Sequence, residues 1–143
     1  MIHEIIDIAK GAGFELVPLI DYHALNVDLD RLHETGKSGY YVMLPKQEEH
    51  RYNEWSVDHV ARIEIVGVKE CPFTNDDRRD FDNVNAIAVS LKRDLLDIIN
   101  ALMDTGEYDN VSRISFAVVT YRFDSFQTAV TASFELSKPS ELC

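Results

Sequence analysis

The chain has 143 residues, 45% apolar and 27% charged, and its 25 acidic against 14 basic residues give a net charge of −11. A chain of that length and balance fits one domain that can bury roughly 68–70% of its unfolded surface, which makes a core possible without staples and argues against disorder over most of the length. The acidic excess repels nucleic-acid phosphates, so it disfavours non-specific DNA or RNA binding and favours a cationic partner.

Met1–Asp7 carries acids and no basic leader, so it does not read as a secretory signal. Ile2, Ile5, Ile6 and Ala9 fall at helical spacing, with Gly11 and Gly13 behind them, which predicts a short N-terminal helix. Phe14 to Ala24 is apolar but interrupted by Pro18, and it predicts one strand and a loop. Val27 to Glu34 reads as a helical turn, and Gly36 to Gly39 as a break. Tyr40–Leu44 is a β-rich run ended by Pro45, and Lys46–Tyr52 is polar. Ala61–Val68 alternates in its first half, turning Ala61, Ile63 and Ile65 inward. The two apolar runs suit a long hairpin that closes near Asn53-Glu54.

After Cys71-Pro72, Thr74 and Asp77 have the spacing of a helix cap, and Asp76, Asp77 and Asp80 suit a positive helix end. Val84, Ile87, Leu91, Leu95, Ile98 and Leu102 then recur every three or four residues. That stripe predicts a long amphipathic helix over Val84–Met103, stopped at Thr105-Gly106. Val111–Phe123 is apolar on both faces and reads as a central strand, whereas Gln127–Ser137 alternates and reads as covered on one face. Residues 138–143 should fray. The fold class is therefore α+β: an antiparallel or mixed β-sheet, one long helix packed on it and a short N-terminal helix, in a single domain over 1–143. No run approaches the ~18 apolar residues that span a bilayer, and the expectation is a protein made in a cytoplasm.

Catalytic and cofactor signatures do not emerge. No two of His3, His23, His33, His50 and His59 are three or four residues apart, so no metal-ligand spacing appears. The acidic run from Asn75 to Asp82 lacks the glycine and closing glutamate of a calcium loop. Gly11-Ala12-Gly13 is too short to cradle a phosphate, and the serines show no nucleophile elbow. Cys71 and Cys143 have no framework spacing, and Cys71 has no local nucleophile signature; they read as reduced thiols, with one disulfide between them as the alternative. The expectation is a non-enzyme without cofactor or metal.

Two polar segments carry more aromatic residues and arginines than plain turns need. Gln47–Trp55 holds Arg51, Tyr52 and the only tryptophan, Trp55; the segment Tyr121–Phe126 holds Arg122, Asp124 and Phe126. Arginine and large aromatics are enriched where protein surfaces meet, so these six residues are the candidate subunit interface. The alternative is that Trp55, Tyr121 and Phe123 pack on the domain's own core.

A starting helix, a hairpin with a long polar middle (Ala61–Val68 its second strand), the Val84–Met103 helix and a closing strand pair through Arg122-Phe123-Asp124 into Thr128–Leu136 form a recognisable order. That order is similar to the tail terminator and tail-completion proteins of tailed bacteriophages and their head–tail neck relatives. Pro18 and the long Asp21–Ser38 segment fit it least. The resemblance implies a virion structural protein rather than an enzyme. It would form a homo-oligomeric ring, commonly a hexamer, at the head-proximal end of the tail, and contact the tail tube and neck or connector proteins. DNA would be only passing cargo, and a negative bore would let it slide. Two other readings stand beside it. A small acidic α+β protein can be an inhibitor or immunity protein that masks a basic partner. An enzyme on a cystatin-like or ferredoxin-like fold would need a pocket with convergent polar groups, and no residue set nominates one.

Overall fold

The computed structural model describes residues 1–21, 38–52, 57–71, 76–109, 111, 113–122 and 126–139, with 121, 122 and 126 described by their backbone. The expected elements at Val27–Glu34, the Asn53-Glu54 closure and Thr74 lie outside the described residues. In chain order the elements are α1 (Ile2–Gly11), β1 (Leu16–Leu19), β2 (Gly39–Met43), β3 (Glu48–Tyr52), β4 (Val57–Glu70), α2 (Asp77–Asp104), β5 (Ile114–Arg122) and β6 (Phe126–Pro139). The six strands make one mixed sheet in the order β1-β2-β4-β6-β5, with β3 paired to β4 alone. The α+β class is as the sequence indicates.

Each helix buries one stripe. On α1, Ile5 and Ala9 are four residues apart and fully buried; the chain then turns through Gly13 at a φ of +95°, a left-handed conformation that glycine adopts without strain. On α2, Leu91, Leu95, Ile98 and Leu102 sink into Ala61, Ile63 and Ile65 of β4 and Val130, Ala132, Phe134 and Leu136 of β6. Alternate residues of β4 and β6 point the other way, where Val66, Val68 and Ala129 join Tyr41 and Met43 of β2 in a second, smaller cluster.

Helix α2 begins at Asp77, earlier than the stripe suggests. Its first two turns bury little besides Asp80 and leave Phe81 exposed, so no apolar rhythm announces them. The cap is Asp76 rather than Thr74: its carboxylate accepts the backbone N–H groups of Arg78 and Arg79 at 3.2 and 3.3 Å.

The sheet differs from expectation in three places. β5 is an edge strand, not a central one, and β6 sits between it and β4. Apolar residues on both faces of a strand do not distinguish double coverage from an outer strand that keeps them in solvent. Lys46–Tyr52 is not all loop, because Glu48–Tyr52 pairs with Val57–Ala61 while all five of its residues stay exposed; backbone pairing needs no apolar side chains. Lys138 and Pro139 are paired strand residues opposite His59 and Asp58, not a frayed end. β1 runs parallel to β2, so of the antiparallel or mixed sheet expected it is the mixed one that forms.

The hairpin register also shifts. β2 pairs Tyr41 with Val66, and that register carried forward would set His50 against Val57; β3 instead sets His50 against His59. Two extra residues are absorbed between β2 and β3. An even shift preserves which face each side chain occupies, so Ala61 stays inward.

Candidate functional site

The four candidate interface residues that are described, Arg51, Tyr52, Arg122 and Phe126, do not form one patch. Arg51 and Tyr52 lie on β3, where Tyr52 is 80% exposed. The Arg51 guanidinium donates to Glu49 Oε2 at 3.0 Å and reaches Glu135 Oε1 of β6 at 3.1 Å. These two carboxylates, chiefly Glu49, raise the Arg51 pKa. Arg122 and Phe126 face each other as the last pair of β5 and β6. Phe126 is therefore a strand residue, and β6 begins one residue earlier than the sequence suggests. Trp55 and Asp124 lie outside the described residues.

The two clusters occupy diagonal corners of the sheet. β3 pairs with Val57–Ala61 at the start of β4, whereas Gln127, next to Phe126, pairs with Glu70 at its end. β4 is 14 residues long, so the corners are separated by roughly 45 Å along the strand direction at 3.2–3.4 Å per residue. They also lie on opposite sides, since β4 and β6 stand between β3 and β5.

What the corners share is an open strand edge. Among the described strands, β3 pairs only with β4, and β5 only with β6. On β5, Ala117 to Thr120 are exposed, with Val118 and Val119 each 44% accessible. Folded proteins usually blunt such edges with lysine, proline or short length. β1, the other end of the sheet, follows that practice with four residues and Pro18. β5 has nine residues, Ile114–Arg122, and neither lysine nor proline.

Two clefts open on the sheet face away from the helices. A cleft of about 320 Å³ is lined by Ile20, Met43, Leu44, Arg62 and Glu64. A polar one of about 530 Å³ is lined by Arg62, Arg113, Ser115, Ser133 and Glu135. Among the described residues no group of three or more His, Cys, Asp or Glu side chains is placed to hold a metal ion. His50 and His59, scattered in the sequence, stack with ring centroids 4.9 Å apart, and His59 Nε2 lies 3.8 Å from Glu48 Oε1. Only the β3–β4 register brings them together, so no spacing signal could have found the pair. Cys71 is a buried thiol whose pKa is pushed up by burial and, secondarily, by Asp80, which opposes nucleophilic use. No described helix is long and apolar enough to cross a membrane.

In comparisons with known proteins, no family profile matches the chain, and no curated protein does.

Proposed function

We propose that this chain is a virion structural subunit, not an enzyme, that assembles with copies of itself into a ring at the head-proximal end of a phage tail. The ring ends tube polymerisation and joins the tail to the neck. It is made in the host cytoplasm, acts in the virion, and meets DNA only as cargo passing through its bore. The observation that carries the reading is the pair of strand edges, β3 and β5, that have no partner among the described strands and lie on opposite sides of one sheet. A subunit with two different sticky edges joins head to tail, and such heterologous contacts close into rings when the rotation fits. The order of elements, similar to that of tail terminators, supports the same reading.

The net charge of −11 keeps one other reading in play, an acidic inhibitor of a basic protein. Salt separates the two, because screening strengthens association between like-charged copies and weakens docking on a basic partner. Sedimentation of the full chain across concentration and ionic strength, with electron microscopy of the associated fraction, tests the proposal. Rings that grow in as salt is raised are expected. A chain that stays monomeric at every concentration and salt level, and leaves purified tail tubes uncapped, would sink it.

A further inference from the structure

We infer that the subunits join by strand addition, with β3 of one copy pairing antiparallel along the open edge of β5 of the next, Tyr52 opposite Val118. The inference rests on the ring reading and says how that ring is held.

Strand direction comes first. β3 runs antiparallel to β4, β4 to β6, and β6 to β5, so β3 and β5 point in opposite directions within one copy. An antiparallel joint between β5 and the next copy's β3 therefore leaves that copy in the same orientation as the first. Head-to-tail closure requires this. Pairing β5 with another β5 antiparallel would flip the second copy and stop at a two-fold dimer.

Side-chain faces select the register. On β5, Ile114, Phe116, Val118 and Thr120 stand opposite Phe134, Ala132, Val130 and Thr128, on the helix side of the sheet. On β3, Glu48, His50 and Tyr52 stand opposite Ala61, His59 and Val57, which places them on that same side. A joint that matches faces keeps the helices of both copies on one side of a continuous sheet. With Tyr52 opposite Val118, the ring that is 80% exposed covers a valine that is 44% exposed. His50 then falls opposite Thr120, and Arg51 opposite the equally exposed Val119.

Charge selects a second copy as the occupant. Ile114–Tyr121 and the facing Phe126–Phe134 contain no Asp, Glu, Lys or Arg, in a chain with 25 acidic residues. This is where another acidic copy can approach without repulsion. The register also sets Glu48 opposite position 122, an arginine in the sequence. Cross-strand pairs of opposite charge favour the joint, and like charges would oppose it.

Disulfide trapping tests this on the full chain in a Cys143→Ser background. The double variant Tyr52→Cys/Val118→Cys, oxidised under associating conditions, should give a covalent ladder on a non-reducing gel. A mixture of the two single variants should stop at dimers, and each single variant alone should stay monomeric. Val118→Lys, a gatekeeper at a position exposed in the free subunit, should abolish association with the melting temperature unchanged. Rings that form without a cross-link and tolerate Val118→Lys would overturn the strand joint while leaving the ring reading intact. Covalent dimers from Val118→Cys alone would overturn it in favour of two-fold edge pairing. A wild-type chain that never associates would overturn both readings.

Discussion

Individual side chains show where this fold is stabilised and where it is not. Thr128 is fully buried on β6, and its Oγ1 has no hydrogen-bond partner among the described residues. An unsatisfied buried hydroxyl costs about 1–3 kcal/mol, so Thr128→Val, which keeps the shape, should be neutral or stabilising in a denaturant melt. Gly67 has the opposite character. A Cβ there would lie 3.2 Å from Leu91 Cδ2 and 3.5 Å from the Tyr40 ring, so glycine lets α2 settle on β4. Gly67→Val should cost about 1–3 kcal/mol through overpacking. Glu4 joins the N-terminal helix to the end of the sheet: it accepts from Lys138 Nζ at 2.9 Å and from the Tyr108 hydroxyl at 2.8 Å. Those contacts, Lys138 first, hold its carboxyl below the usual range. A lowered folded pKa means that the contribution is complete above the unfolded carboxylate value near pH ~4.3 and is lost as pH falls through the folded one. Glu4→Gln should therefore narrow the stability gap between neutral and acid solution, read as the melting temperature from pH 7 down to pH 2.

At the scale of elements, α2 is the part the sequence announces most clearly, because a partly buried helix must repeat every 3.6 residues. Leu95 lies at the centre of that stripe and is fully buried; Leu95→Ala should cost about 2–5 kcal/mol in a denaturant melt. A loss under half a kilocalorie would show that this face is not the core. The helix start was legible only in part: its first two turns lie beyond the sheet's apolar cover, so the periodicity begins at Val84 while the backbone begins at Asp77. Strands gave less away. Ala61, Ile63 and Ile65 turn inward as their alternation requires. β3 escaped notice because Glu48-Glu49-His50-Arg51-Tyr52 buries nothing; its conformation is imposed by the ladder to β4 rather than by its own side chains.

For the whole molecule, two edges open among the described strands predict association controlled by charge. Each copy carries −11, so subunits repel over distances that salt shortens, with a Debye length of about 30 Å at 0.01 M falling to about 8 Å at 0.15 M. Monomers in dilute, low-salt solution and larger species in concentrated or saline solution are the expected outcome, read by sedimentation. Changing Arg51 and Trp55 together to Ala should abolish association with the melting temperature nearly intact. Normal assembly, or outright unfolding, of that variant would remove this segment from the interface. A tail tube offered as template should draw the chain onto its ends even where free rings are scarce.

By itself the sequence determined the class of the fold, the long helix and its buried face, and the inward side of β4. These follow from periodicities of 3.6 and 2, which are local and survive in one dimension. It also singled out Arg51, Tyr52 and Arg122 by residue type. Tertiary structure alone decided that β5 is an edge and β6 is central, that β1 lies parallel to β2, that His50 stacks on His59, and that Arg51 with Tyr52 and Arg122 with Phe126 sit at diagonal corners of the sheet. The physical reason is that strand order and register are set by backbone hydrogen bonds between segments far apart in the chain. Those bonds are nearly indifferent to side-chain identity, so composition and spacing carry almost no record of which strand lies next to which.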